Sequence, residues 1–261
     1  MQLTVNKTNE DQYLIPPDHI AFPGGGGSEA DNLKKVADNF LQYFLKYGNI
    51  KPDYKILEIG CGTGRMPIAL TKFLSNQGEY HGFDIVKSRI EWCQEAYKVK
   101  HPNFNFQVAD IYNKNYNPEG KFLASEYKFP YEDDYFDFIF LTSVFTHMFA
   151  PDIQNYLSEI HRILKKDRRC MITWFVLNTE SLTNIICCDN IHKLNKFKFK
   201  IDFGLTSNKD RPEVAVAFYE SFIRRIYAEA KLEISNPILY GSWCKRQNFV
   251  SHQDIIIAEK K

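Results

Sequence analysis

Residues 54–65 read "YKILEIGCGTGR", an apolar run that ends in three glycines at alternate positions, Gly60, Gly62 and Gly64. A short apolar run stopped at once by glycine reads as a buried strand that turns sharply into the next element. Lacking Cβ atoms, such a turn can take positive φ and let a ligand approach bare backbone, while the next helix offers free N–H groups to a negative group. In an open parallel sheet, ligands bind at this place, beyond the carboxyl end of a strand. The spacing is G-x-G-x-G. It differs from the dinucleotide fingerprint G-x-G-x-x-G and lacks the Lys-Ser/Thr of a phosphate loop.

Outward from the loop, helix and strand alternate. Upstream, Leu33, Val36, Phe40, Leu41, Phe44 and Leu45 recur at helical spacing, which predicts an amphipathic helix from Asn32 to Tyr47. Downstream, the pattern predicts helix at 65–78, strand at 79–85, helix at 87–102 and strand at 104–111. It then predicts strand at 136–143, helix at 152–166, strand at 169–177 and helix at 213–231. Two strand-like segments, 232–241 and 254–260, close the chain, and their short connection favours an antiparallel pair. This alternation implies an α/β fold, a mostly parallel sheet with helices on both faces.

The chain has 261 residues, enough for one large core, and a formal net charge of +1. So balanced a charge gives no global field to recruit nucleic acid or an anionic membrane. No uncharged apolar run reaches membrane-spanning length and the first residues lack a basic start, so the reading is a soluble, cytoplasmic protein. The six cysteines, Cys61, Cys93, Cys170, Cys187, Cys188 and Cys244, form no C-x-x-C pair and read as free thiols of a reducing compartment. Residues 1–31 form an irregular arm with paired prolines and the run Gly24 to Gly27, either a flexible hinge or a close approach to a ligand. Two irregular insertions, 112–135 and 178–212, interrupt the domain that fills 32–261.

Two carboxylates narrow the ligand. Asp84 ends the second strand about twenty residues past the loop, where an acid accepts hydrogen bonds from both ribose hydroxyls. Asp110 ends the third strand, where a cap or turn role is the ordinary alternative. Loop, Asp84 and Asp110, each at a strand end and in that order, resemble the class I S-adenosylmethionine-dependent methyltransferases over residues 50 to 177 and, more loosely, the last helix and strand pair. The resemblance implies a three-layer Rossmann-like sandwich whose seven-stranded sheet ends in an antiparallel strand, "DIIIAEK". It implies that Glu58, Gly60, Cys61, Gly62 and Gly64 hold the methionine part, that Asp84 binds the ribose and that Ile85 packs on the adenine. By the same resemblance Asp110 and the Ile111 amide read the adenine edge, and Thr142 lies beside the cofactor. The ligand carries a sulfonium and no phosphate, which suits acid-crowned strand ends without a phosphate-loop lysine.

A methyl acceptor would lie over the end of the fourth strand, at "LTSVFTHMF" (141–149). There His147 is the candidate base, since histidine can take a hydroxyl proton near neutrality; a structural histidine is the alternative. Ser143 and Thr146 are candidate substrate contacts. Tyr240 and Trp243, between the last two strands, are candidate pocket walls or core residues, and His252 is a lesser base. The segment lacks an Asn-Pro-Pro-aromatic element, the pattern that resembles enzymes methylating exocyclic amines, which pushes the expectation toward oxygen acceptors. The segments "SVFTHM", "YNP", "FPY" and the terminal "YGSWC…QDIIIAEK" resemble a set of bacterial-type methyltransferases, which implies small hydroxylated acceptors, sugars among them. Nitrogen or nucleic-acid methylation and a nicotinamide-dependent oxidoreductase on a similar sheet are the competing readings. The alternating Lys and Phe at 196–200 would serve nucleic acid or a half-exposed strand. No metal site is predicted.

Overall fold

The computed structural model describes residues 14–17, 20, 30–187, 192 and 196–261. Most of the N-terminal arm, its glycine run and Cys188 lie outside the described residues.

Helix α1 (Ala30–Tyr43) runs into one wider π turn, Phe44–Gly48, and the left-handed Asn49 ends it. Then follow β1 (Lys55–Ile59), the short α2 (Pro67–Leu70), β2 (Glu79–Asp84), α3 (Lys87–Tyr97), β3 (Phe104–Val108) and β4 (Phe136–Leu141). Helix α4 (Ala150–Ile163) leads directly into β5 (Leu164–Trp174), then β6 (Val176–Leu177), α5 (Thr179–Cys187), β7 (Phe199–Ile201), β8 (Gly204–Thr206) and β9 (Val216–Tyr219). Helix α6 (Glu220–Glu229), β10 (Leu232–Ile234) and β11 (Asp254–Lys260) complete the chain.

Seven strands form the main sheet in the order β10-β11-β5-β4-β1-β2-β3. The neighbours β5-β4-β1-β2-β3 are parallel, and β11 runs antiparallel to both β5 and β10. The expected Rossmann-like sandwich with its antiparallel last strand is therefore the observed fold. Both faces are covered, and alternate residues of the same strand enter different cores. On β4, Phe138 and Phe140 join the core under α1 and α3, while Ile139 and Leu141 join the one under α4 and α6.

The insertion 178–212, expected to be irregular, carries α5, β7 and β8, and the strand-like segment 232–241 is a strand only over Leu232–Ile234. Three further expected elements differ, each for a local reason. The helix over 65–78 shrinks to Pro67–Leu70 and its following turns, because Ser75 N–H bonds back to the Pro52 carbonyl at 2.8 Å and draws the chain toward β2. The strand over 169–177 is divided. Trp174 pairs with Asp254 in the main sheet, whereas Val176 pairs with Phe218 in a second, four-stranded sheet, β6-β9-β8-β7. The helix expected from 213 starts at Glu220, because Val216 to Phe218 pair with β8 as strand β9.

The second sheet rests on a small core of its own, with Phe175, Leu177, Phe197, Ala217 and Trp243. Asp254, fully buried at the start of β11, joins it to the main sheet. Its carboxylate accepts the N–H groups of Val176 and Gly241 and the indole N–H of Trp243, each at 2.7 Å, and pairs with the buried Arg246 at 3.0 Å. Burial still pushes its pKa up to about 6 against those four donors. Arg246 also reaches Asn178 and Glu180 beside α5, at 3.1 and 3.0 Å.

Most of the basic side chains at 165–169 pair within the fold. Lys165 and Arg168 pair with Asp137, and Arg169 pairs with Glu259. Of the Lys-Phe alternation, Phe197 enters the small core while Lys198 and Lys200 stay exposed.

Candidate functional site

All three loop glycines have positive φ: Gly60 +76°, Gly62 +54° and Gly64 +74°. The Gly60 and Cys61 N–H groups both donate to the Phe83 carbonyl, at 2.8 and 3.1 Å, so the loop is pinned to the end of β2. The same strand end supplies Asp84. One of its oxygens accepts the Gly62 N–H and the other the Val86 N–H, each at 2.9 Å. A Cβ at Gly60 would meet Val144 Cγ2 at 2.5 Å, yet at Gly62 it would meet nothing within 4 Å. Gly60 is thus glycine for packing and φ. Gly62 faces open space, with backbone bare on the side a ligand would take.

Behind the loop lies Glu58, 2 % exposed, which accepts the Tyr80 hydroxyl at 2.6 Å. Burial pushes its pKa up to about 8, although the Tyr80 bond and the nearby Arg65 charge pull it back. Ile85 is half-buried against the main core. Asp110 is half-exposed and accepts the Lys121 N–H at 3.2 Å, so the first insertion returns to it. The Ile111 N–H lies 2.8 Å from the Ala109 carbonyl in a tight turn. Cys61 is buried, and desolvation raises its thiol well above the usual range.

At the end of β4, Thr142 is half-buried and Ser143 takes the left-handed conformation, φ +58°. A non-glycine residue there is strained. Its N–H is held by Thr173 Oγ1 at 2.8 Å, and its hydroxyl donates to Gln253 Oε1 at 3.0 Å. Ends of β4 and β5 and the approach to β11 thereby meet. Thr146 is buried, and its hydroxyl has no hydrogen-bond partner among the described residues. His147 keeps an exposed edge, and its Nδ1 lies 3.0 Å from the Glu213 carbonyl. A carbonyl only accepts, so Nδ1 carries the proton and Nε2 keeps its lone pair. Burial of the ring lowers the His147 pKa, outweighing the carbonyl bonds that raise it. The Glu213 side chain takes an amide hydrogen of Asn115 at 2.9 Å, which stitches the first insertion to the residue that follows the second.

Trp243 stands elsewhere than a pocket wall. It is 1 % exposed, edge-on to Phe175 and Phe197, with its indole N–H given to Asp254. Tyr240 lies in the same seam, its hydroxyl bonded to Glu220 at 2.8 Å and one ring face covered by Arg246. His252 is exposed, near Phe175. Among the described residues no cluster of His, Cys, Asp and Glu could hold a metal ion, and no helix is long and apolar enough to cross a membrane.

A methyltransferase-domain family model matches residues 50–215, well over half the chain. The chain belongs to that methyltransferase family. Over 114 residues this methyltransferase chain is 34% identical to malonyl-[acyl-carrier protein] O-methyltransferase 1 of Ilyobacter polytropus, a match that spans 42% of this chain and 40% of that enzyme's length. Among solved structures, a Pyrococcus horikoshii protein superposes with TM-score 0.63 at 16% identity, covering 92% of this chain and 97% of the other. Magnesium protoporphyrin IX methyltransferase from Synechocystis, solved with bound S-adenosylhomocysteine, superposes with TM-score 0.52 at 15% identity, covering 87% and 83%. At such identities the superpositions speak for the fold.

Several residues of this candidate site carry no signal in the sequence. Gln253, Thr173 and Glu213 meet Ser143 and His147 only through tertiary contacts. Tyr80, on β2, could have been found: it stands opposite Ile56 in register, so its ring crosses beside β1, where Glu58 needs a donor.

Proposed function

We propose that this methyltransferase takes its methyl group from S-adenosylmethionine and delivers it to a hydroxyl oxygen of a small molecule, with His147 accepting the hydroxyl proton. The observation that carries the reading is the open backbone at Gly62, bounded by the Asp84 carboxylate on its amide and by buried Glu58 behind. A nucleoside with an amino-acid tail and no phosphate fits that donor set, since ribose hydroxyls can approach Asp84 and an ammonium is attracted to Glu58.

S-adenosylmethionine supplies an electrophilic methyl group on a sulfonium. The chain's residues do the rest. Glu58, Gly60, Cys61, Gly62 and Gly64 would hold the methionine end, Asp84 the ribose, Ile85 and Asp110 the adenine, and Thr142 the neighbourhood of the sulfur. Ser143 and Thr146 would align the acceptor, and positioning alone can contribute much of the rate. His147 Nε2 is free to receive a proton because Glu213 fixes the tautomer, and its lowered pKa keeps it neutral at pH 7. The two insertions, joined through Asn115 and Glu213, would form the wall and lid of the acceptor pocket, as loops on a rigid sheet commonly do.

Calorimetry with S-adenosylmethionine and S-adenosylhomocysteine tests the cofactor. Micromolar binding supports the reading, and no binding, or preference for a nicotinamide dinucleotide in thermal shift, removes it. Labelled cofactor offered to a panel of sugars, phenols, amines and oligonucleotides tests the acceptor. Transfer to amines or nucleic acid alone would overturn the oxygen assignment.

A further inference from the structure

The buried side of the glycine loop is as closely built as its open side is bare. Cys93 and Tyr97 stand four residues apart on α3, hence on one face of the helix, and both are fully buried. The Tyr97 hydroxyl donates to the Gly64 carbonyl at 3.0 Å, and the Cys93 thiol lies 3.7 Å from the Gly62 carbonyl. A Cβ at Gly64 would stand 3.1 Å from Cys93 Sγ and 3.4 Å from the Tyr97 ring, so loop and helix are in close contact.

A trans peptide is planar, with its C=O and N–H on opposite sides. Drawing the Gly62 carbonyl toward α3 therefore turns the Thr63 N–H away from α3. Drawing the Gly64 carbonyl inward fixes the next peptide plane in the same sense. Glycines at positive φ could adopt other peptide orientations at little cost, so something outside the loop must choose one. We propose that Tyr97 and Cys93 are positioning residues for cofactor binding, which aim the amides of the glycine loop at the carboxylate of the methionine tail by holding the loop's carbonyls from behind. Asp84 fixes the Gly62 N–H from the front, and the two α3 side chains fix the planes that follow.

The proposal rests on the glycine loop being the cofactor cradle. Without the brace the loop samples other orientations, and affinity falls with the fraction that is competent. The test is calorimetry of the intact chain with S-adenosylhomocysteine, alongside thermal melts and hydrogen exchange of the 60–65 amides in the free protein. Tyr97→Phe should raise Kd roughly fivefold to tenfold, the effect of one buried hydrogen bond, and speed exchange in the loop. Cys93→Ala should raise Kd about twofold, since a thiol is a weak donor, and Cys93→Ser should restore it. Tyr227→Phe is the control for stability: its hydroxyl is equally buried and accepts the Trp174 indole N–H, far along the chain from the loop. It should lower the melting temperature and leave Kd alone.

Unchanged Kd and unchanged loop exchange in Tyr97→Phe, with a melting loss like that of Tyr227→Phe, would overturn the proposal. If Tyr97→Phe fails to fold, the Cys93→Ala and Cys93→Ser pair decides: equal Kd values for both and the wild type overturn it. Wild-type protein that does not bind S-adenosylhomocysteine would remove the cofactor reading itself. Weakened binding in Asp84→Ala with none in Tyr97→Phe removes only this inference.

Discussion

The carboxyl edge of the main sheet has two halves made in different ways. Over β1 and β2, the contacts that shape the site join near neighbours: Gly62 to Asp84 and Glu58 to Tyr80, both 22 residues apart. Over β4, β5 and β11, Ser143 reaches Gln253 across 110 residues, Glu213 reaches Asn115 across 98, and His147 reaches Glu213 across 66. The first half is one βαβ unit and repeats wherever such a unit binds a nucleoside. The second is assembled from insertions, and its parts depend on the fold being complete. On the proposed function, the cofactor would thus sit on a locally encoded floor, while the acceptor pocket would be built from parts that only the complete fold brings together.

The sharpest way to break this contrast is at the seam that carries the second half. Asp254→Ala takes from buried Arg246 its one buried carboxylate, leaving it only the exposed Glu180, and strips three N–H groups of their acceptor; it should cost about 3–5 kcal/mol in urea unfolding, as loss of one partner of a buried pair does. The acceptor half should fail first. Hydrogen exchange should rise in β6 and β9 while β1 and β2 stay protected; uniform loss of protection would show that the halves are one cooperative unit. Next in size, His147→Ala should lower turnover about a hundredfold or more with S-adenosylhomocysteine affinity unchanged. Unchanged turnover would make His147 structural, and the contrast would lose its catalytic side.

On the cofactor half, Asp84→Ala should weaken S-adenosylhomocysteine binding by about 2 kcal/mol, the scale of hydrogen bonds to a charged group. Wild-type affinity there would place the nucleoside elsewhere. A smaller effect concerns Glu58. Its raised pKa, about 8, means the free protein holds a proton on it at neutral pH. An ammonium nearby favours the carboxylate, so binding should release a proton and weaken as pH falls from 8 toward 6, by roughly tenfold. Calorimetry in buffers of different ionisation enthalpy checks it. A wild type as insensitive to buffer and pH as Glu58→Gln would contradict it.

The same contrast explains what could be read from the sequence. Gly60 to Gly64, Asp84 and the antiparallel 254–260 strand were legible, because each depends on short-range turn chemistry or on strand order. Strand β9 was not: Val216 to Phe218 precede a true helix without a breaker, and only pairing with β8 on one side and β6 on the other makes them extended. Trp243 carried an aromatic signal that could mean wall or core, and the buried acceptor Asp254, eleven residues on, decides for core. Gln253 and Glu213 have no local signature, since their roles arise from where distant strands end.

The most direct test is a crystal structure of the protein with S-adenosylhomocysteine. The account predicts ribose hydroxyls on the Asp84 carboxylate, the amino-acid tail along the backbone of Gly62, and sulfur turned toward Ser143 and His147. Nucleoside density away from Gly62 and Asp84, or a sulfur directed away from the end of β4, would contradict it.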